Sequence, residues 1–275
     1  MNTSSPFAKA ASSSGAVMAM AALLAAPACR KTVAPAASGE AGIGGNGDWG
    51  GLTVRSTGER RNPKQVVILL HGWGAPGDDL VPLGQMLQAP GRLFLFPEAP
   101  LVSPGGGRAW WHLDMDRLLN MRERGQERDL PNEIPAGLAE ARTKLLSVVA
   151  EAKRRTGLAT SAIVLGGFSQ GAMLATDVAL ALDETPAGLV ALSGTLLAER
   201  VWQERLNNLP AKFPAFVSHG HYDPILPFAL AEALRDRLKA ANLPVTWVPF
   251  PGAHEIPRDV LERLSMFLQH LAAPA

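Results

Sequence analysis

The stretch "AIVLGGFSQGAMLA", residues 162–175, changes period midway. An apolar run gives way to Gly-Gly-Phe-Ser-Gln-Gly and then to residues that favour helix. A strand that must turn at once into a helix needs small residues at the bend, and Gly167 and Gly171 flank Ser169 as G-x-S-x-G. Such a bend holds a serine hydroxyl in the open at the end of a sheet. In a chain with 27 glycines the pentapeptide carries little weight alone. The strand before it and the helix after it give it weight.

The rest of the chain repeats that alternation. Strands are predicted at "LTVRS", "QVVILLHG", "RLFLFPE", "SAIVLGG", "GLVALSG", "PAFVSHG" and "VTWVPF". Between them, helices are predicted at about 77–88, 136–156, 170–182, 199–206, 227–240 and 256–271. Apolar runs alternating with longer amphipathic stretches imply an α/β fold with a mostly parallel central sheet and helices on both faces. One domain is expected over residues 51–275. Residues 97–135 fit neither period, being Gly- and Pro-rich and then charged. They follow a strand at its carboxyl end, where ligands bind in open parallel sheets.

An exposed serine is a poor nucleophile until an imidazole takes its proton and a carboxylate fixes that imidazole's tautomer. His254, in "VPFPGAHEIPRDV", lies just past the last strand and before the last helix, on the same rim as Ser169. His270 sits late in the last helix, where a cation suits the helix end. His71, His219 and His221 lie at strand ends and read as structural hydrogen-bonders. The acid is expected between serine and histidine in the chain. Asp223 in "FVSHGHYDPILP" meets that condition, with Glu199 the alternative. Two backbone donors are needed for the tetrahedral oxyanion: Gln170 N–H at the start of the following helix, and Trp73 N–H in the "ILLHGWGAPGDDL" loop. No step of this chemistry requires a metal or another cofactor.

Seven segments stand in a telling order: "LLHGWG", "FPEAP", "AWW", "GFSQGAMLA", "LSG", "HGHYDPILP" and "AHEIP". From residue 51 to about 272 the chain resembles the phospholipase/carboxylesterase family of α/β-hydrolases, which includes the acyl-protein thioesterases. The resemblance implies a single α/β-hydrolase domain and a serine esterase working through an acyl-enzyme. It also implies that Ser169, Asp223 and His254 form the triad and Trp73 and Gln170 the oxyanion hole. Trp110 and Trp111, in the loop expected to roof the groove, are expected to touch a small-molecule ester substrate. A peptidase or acyltransferase on the same triad is one alternative. A non-catalytic binding protein of the same fold, tethered at the cell envelope, is another. No long insertion follows "LSG", where lipases often carry a lid.

The first fifty residues are different in kind, built from Ala, Ser, Gly and Pro. Lys9 precedes "GAVMAMAALLAAPA", an apolar run shorter than the roughly 20 residues that span a bilayer. The run ends at Cys29, the single cysteine, so no intrachain disulfide can form. "LLAAPAC" resembles the lipobox of bacterial lipoproteins, although Ala26 stands where leucine is usual. Residues 1–29 are therefore expected to be a signal peptide ending at a lipidated Cys29, and 30–50 a flexible linker. That implies export and a lipid-anchored place in the cell envelope, or secretion if Cys29 is not lipidated. With 26 Lys and Arg against 25 Asp and Glu, the charge makes no case for nucleic acid.

Overall fold

The computed structural model describes residues 46–271, apart from 115, 118, 119, 121, 122 and 127. The expected signal peptide, Cys29 and linker residues 30–45 lie outside the described residues. Among the strands buried along their whole length, which requires cover on both faces, are β3 (Gln65–Leu70), β4 (Arg92–Pro97), β7 (Ile163–Phe168) and β9 (Ala215–Gly220). With β1 (Asn46–Trp49), β2 (Leu52–Gly58), β8 (Gly188–Leu192) and β10 (Val245–Phe250) they form an eight-stranded sheet in the order β1-β2-β4-β3-β7-β8-β9-β10. From β4 to β10 every pairing is parallel, whereas β2 is antiparallel to both its neighbours.

Alternate residues of one strand feed two different cores. Val66, Ile68 and Leu70 pack with α2 (Leu138–Thr156), α3 (Gln170–Ala179), α4 (Glu199–Asn207) and α5 (Phe228–Ala240). Val67 and Leu69 pack on the other side with α1 (Val81–Met86) and α6 (Arg258–Leu271). This is the expected α/β architecture with helices on both faces. Behind one of those faces, Asp177 is fully buried and joins three helices. It accepts from Arg142 at 2.5 Å, Arg205 at 2.7 Å and the Trp202 indole at 2.9 Å.

Two expectations need correcting here. The folded part begins inside the stretch read as linker. Asn46–Trp49 pairs with Leu52–Gly58 across a Gly50-Gly51 turn in which both glycines have positive φ, 63° and 86°. Trp49 is fully buried, and the Arg155 guanidinium lies 4.3 Å from its ring centre. The helix predicted at 77–88 is also shorter, because the chain turns through 76–80 before Val81. Residues 97–135 hold a small hairpin, β5 (Leu101–Val102) with β6 (Arg108–Ala109), and a 3₁₀ turn at Leu130–Asn132.

The topology decides where a site can form. The chain runs from β3 outward to β4, and from β7 outward the other way to β8, so β3 and β7 flank the switch point of the sheet. Loops leaving their carboxyl ends face one crevice. The loop after β3 begins at His71, and Ser169 follows β7.

Candidate active site

Ser169 stands between strand and helix with φ 55° and ψ −119°, a backbone state that costs a non-glycine residue about 1–3 kcal/mol. The surroundings enforce it. A Cβ on Gly171 would strike the Leu70 carbonyl, and one on Gly167 would strike Gly171 and the same carbonyl. Both glycines of the motif are therefore required by close backbone packing of β7, α3 and the end of β3. The Ser169 N–H is held by the Leu192 carbonyl at 2.9 Å, and its own carbonyl accepts the first helical N–H groups, from Ala172 and Met173.

The loop after β3 abuts this bend: a Cβ on Gly72 would lie 3.4 Å from Ser169 Cβ. The loop is held from several directions. His71 Nδ1–H donates to the Gly72 carbonyl at 2.8 Å, and His71 Nε2 accepts the Ala99 N–H at 3.1 Å. These two bonds fix one tautomer, and burial pushes the His71 pKa down, outweighing the bond to Gly72. The hairpin zips onto the loop through Gly74 N–H to the Arg108 carbonyl and Arg108 N–H to the Ala75 carbonyl, 2.8 and 2.9 Å. Glu98 bridges Arg55 and Arg108 at 2.8 Å each. The backbone N–H groups of Trp73 and Gln170 have no protein acceptor among the described residues. Both are available to a developing oxyanion.

Trp110 and Trp111 are not where they were expected. Each is only 1% exposed, in the core rather than on a groove wall. The Trp110 indole N–H donates to the His71 carbonyl at 2.9 Å. Gln170 reaches the same segment with its side chain, accepting the Trp110 N–H and donating to the Trp111 carbonyl, both at 2.9 Å. Trp110 buttresses the loop after β3, and the segment 97–111 acts here as a brace. The Gln170 side chain was missed in the sequence, where only its N–H had a role. The signal was a polar residue opening a helix whose next five residues, 171–175, are apolar.

In the loops that follow β9 and β10, His254 Nδ1 lies 2.6 Å from Asp223 Oδ2. Asp223 Oδ1 accepts the N–H groups of Ile225 and Leu226 at 2.8 and 2.9 Å. Burial by itself would raise the Asp223 pKa. Hydrogen bonds from His219, His254 and Leu226, with the charge of His254, outweigh it and hold the carboxyl well below the usual range. An ionised carboxylate only accepts, so the proton sits on His254 Nδ1 and the Nε2 lone pair is free. That Nε2 is buried without a hydrogen-bond partner. The His254 ring packs 4.8 Å from that of Phe168, the residue before Ser169. No hydrogen bond joins Ser169 Oγ to His254 Nε2.

The remaining candidates fall elsewhere. Glu199 pairs with Arg237. His270 bonds the Met266 carbonyl, and His221 stacks on Phe228 with centroids 4.2 Å apart. Ser193, also at positive φ, donates to the Glu255 carbonyl at 3.1 Å and so ties down the loop that carries His254. Two surface cavities, of ≈ 520 and ≈ 380 Å³, are lined by other residues, around Arg200 and around Arg117. Among the described residues no group of three His, Cys, Asp or Glu side chains could hold a metal ion.

Comparison with known proteins gives a consistent setting. The sequence model described as Phospholipase/Carboxylesterase matches residues 54–272. Acyl-protein thioesterase 1 of Saccharomyces cerevisiae is 29% identical over 223 residues, 75% of this chain and 92% of that protein. The protein of that name from Aspergillus fumigatus is 30% identical over 221 residues, 76% of this chain and 88% of its own length. Among solved structures, esterase PE8 is 30% identical with a TM-score of 0.67, covering 76% of this chain and 94% of its own. The Bacillus cereus carboxylesterase, 20% identical with a TM-score of 0.60 over 80% of this chain and 94% of its own, shares the fold.

Proposed function

Because the chain belongs to the phospholipase/carboxylesterase family and is an ester hydrolase of that family, we propose that it works through an acyl-enzyme on Ser169. His254 Nε2 takes the Ser169 proton as Oγ attacks the carbonyl carbon, and the N–H groups of Trp73 and Gln170 receive the oxyanion. Collapse of the tetrahedral intermediate expels the alcohol, or thiol, which leaves with the proton from His254. Water then repeats the sequence and frees the acid. Asp223 keeps the imidazole in the Nδ1–H tautomer and stabilises the imidazolium. The observation that supports this most is the 2.6 Å pair of His254 and Asp223, with Nε2 left unpartnered beside the strand-to-helix bend.

The test is substitution with purified protein on soluble nitrophenyl esters. Ser169→Ala should lower turnover on the order of 10⁴-fold or more in a folded protein, and His254→Ala should do comparable damage. Asp223→Asn should be damaging where Glu199→Gln is not. An active Ser169→Ala enzyme, free of contaminant, would end this reading. The thioesterase name of the relatives leaves thioesters in the substrate class, and an ester and thioester pair sharing one acyl group separates the two.

We further propose that the protein is exported and held at the envelope by lipid on Cys29, with secretion as the outcome if Cys29 is not modified. The apolar run ending at a lone cysteine supports this. A plain esterase suits that compartment better than one deacylating cytosolic proteins.

A further inference from the structure

We infer that His219 is a positioning residue, whose Nε2–H sets the plane of the Asp223 carboxylate so that Oδ2 faces His254. The inference rests on the roles given above to Ser169, His254 and Asp223.

A carboxylate held by one oxygen can still rotate, because the torsion that turns it is broad. Asp223 Oδ1 takes two backbone N–H groups, from Ile225 and Leu226, and that fixes only one end. Orientation is decided at Oδ2. Two side chains reach it: His254 Nδ1 at 2.6 Å and His219 Nε2 at 3.2 Å. His254 moves protons in the reaction, so it cannot also be the fixed reference for its own partner. His219 can. It is fully buried at the end of β9, with its ring edge-on to Phe228 at 6.1 Å.

The His219 proton sits on Nε2, because that nitrogen lies against two oxygens while Nδ1 has no partner among the described residues. The second oxygen is the Leu226 carbonyl at 2.9 Å. Leu226 therefore donates its N–H to Asp223 Oδ1 and accepts from His219, which in turn reaches Asp223 Oδ2. The ring of contacts closes on the carboxylate from both ends. A histidine kept only to close the 220–226 turn would need the Leu226 bond alone. The 3.2 Å approach of the same nitrogen to the oxygen that serves His254 is the feature such a role leaves unexplained.

The experiment compares His219→Leu, His219→Asn and His219→Gln with and without Asp223→Asn. The longer amide of Gln can bring an N–H to the position of Nε2, and that of Asn cannot. Leu and Asn should lower kcat by about 10- to 100-fold with KM within about twofold, as expected for a misplaced catalytic group. Gln should recover most of the loss. In the Asp223→Asn background, His219→Leu should have no further effect, because its target is already disabled. The downfield proton resonance of His254 Nδ1 should persist in wild type and Gln and disappear in Leu and Asn.

Wild-type kcat and an intact resonance in the Leu variant would overturn the inference. So would a loss that multiplies with Asp223→Asn and is not restored by Gln, which marks packing alone. Should Leu fail to fold, Asn against Gln makes the same comparison. If Ser169→Ala leaves hydrolysis intact, the functional reading falls, while the resonance, which needs no turnover, still judges His219.

Discussion

At the scale of residues, the site depends on which nitrogen carries each proton. His254 and His71 both hold Nδ1–H, one against a carboxylate and the other against a carbonyl. Their surroundings differ in kind. Burial lowers the His71 pKa, so as the pH falls the unfolded chain takes up that proton before the folded one does. Stability from this group is complete above about pH 6.5 and is lost as the pH drops toward the depressed folded value. Protonated, Nε2 would also present a proton to the Ala99 N–H that it now accepts. Urea midpoints measured from about pH 7 to 5 should therefore fall less steeply in His71→Gln than in wild type. Equal slopes would show that His71 does not carry this dependence. The lowered Asp223 pKa has the same sign and acts in a more acidic window, below the ordinary carboxylate range.

At the scale of elements, the elbow and the brace are separate devices. Strand β7, helix α3 and the two motif glycines form the bend locally, which is why it was legible in the sequence. The brace is not local: Gln170 spans 60 residues to Trp110, and the hairpin β5–β6 is joined to the 71–75 loop through backbone bonds. Gly-rich, short and without period, residues 97–115 gave no sign of which side chains would turn inward. Strand β1 was hidden for a similar reason. Its four residues carry one apolar anchor, Trp49, whose burial depends on α2 and Arg155 far along the chain. Trp49→Ala should cost about 3–5 kcal/mol in denaturant unfolding. A chain starting at Ala41 should keep the melting temperature and kcat of a longer one. One starting at Gly51 should melt lower, and equal melting temperatures would mean that β1 is dispensable.

At the scale of the whole molecule, every residue assigned to the site lies within the described residues 46–271. Cys29 lies upstream, so its modification is expected to fix location without changing chemistry. Cys29→Ser should move the protein out of the membrane fraction, or leave the leader uncleaved, with kcat on a soluble ester unchanged. Fractionation indifferent to the substitution would remove the anchor. Sequence alone determined the strand and helix alternation, the bend at Ser169, and the chain order of Ser169, Asp223 and His254, because periodicity and close glycine packing act over a few neighbouring residues. The sheet order was a tertiary decision, and it set the loop after β3 beside Ser169. So was the choice of partners for a buried carboxylate: Asp223 meets a histidine 31 residues away and another four residues back. The contact with His254 exists only once β9 and β10 lie side by side, since a buried carboxylate needs donors that the chain order does not name.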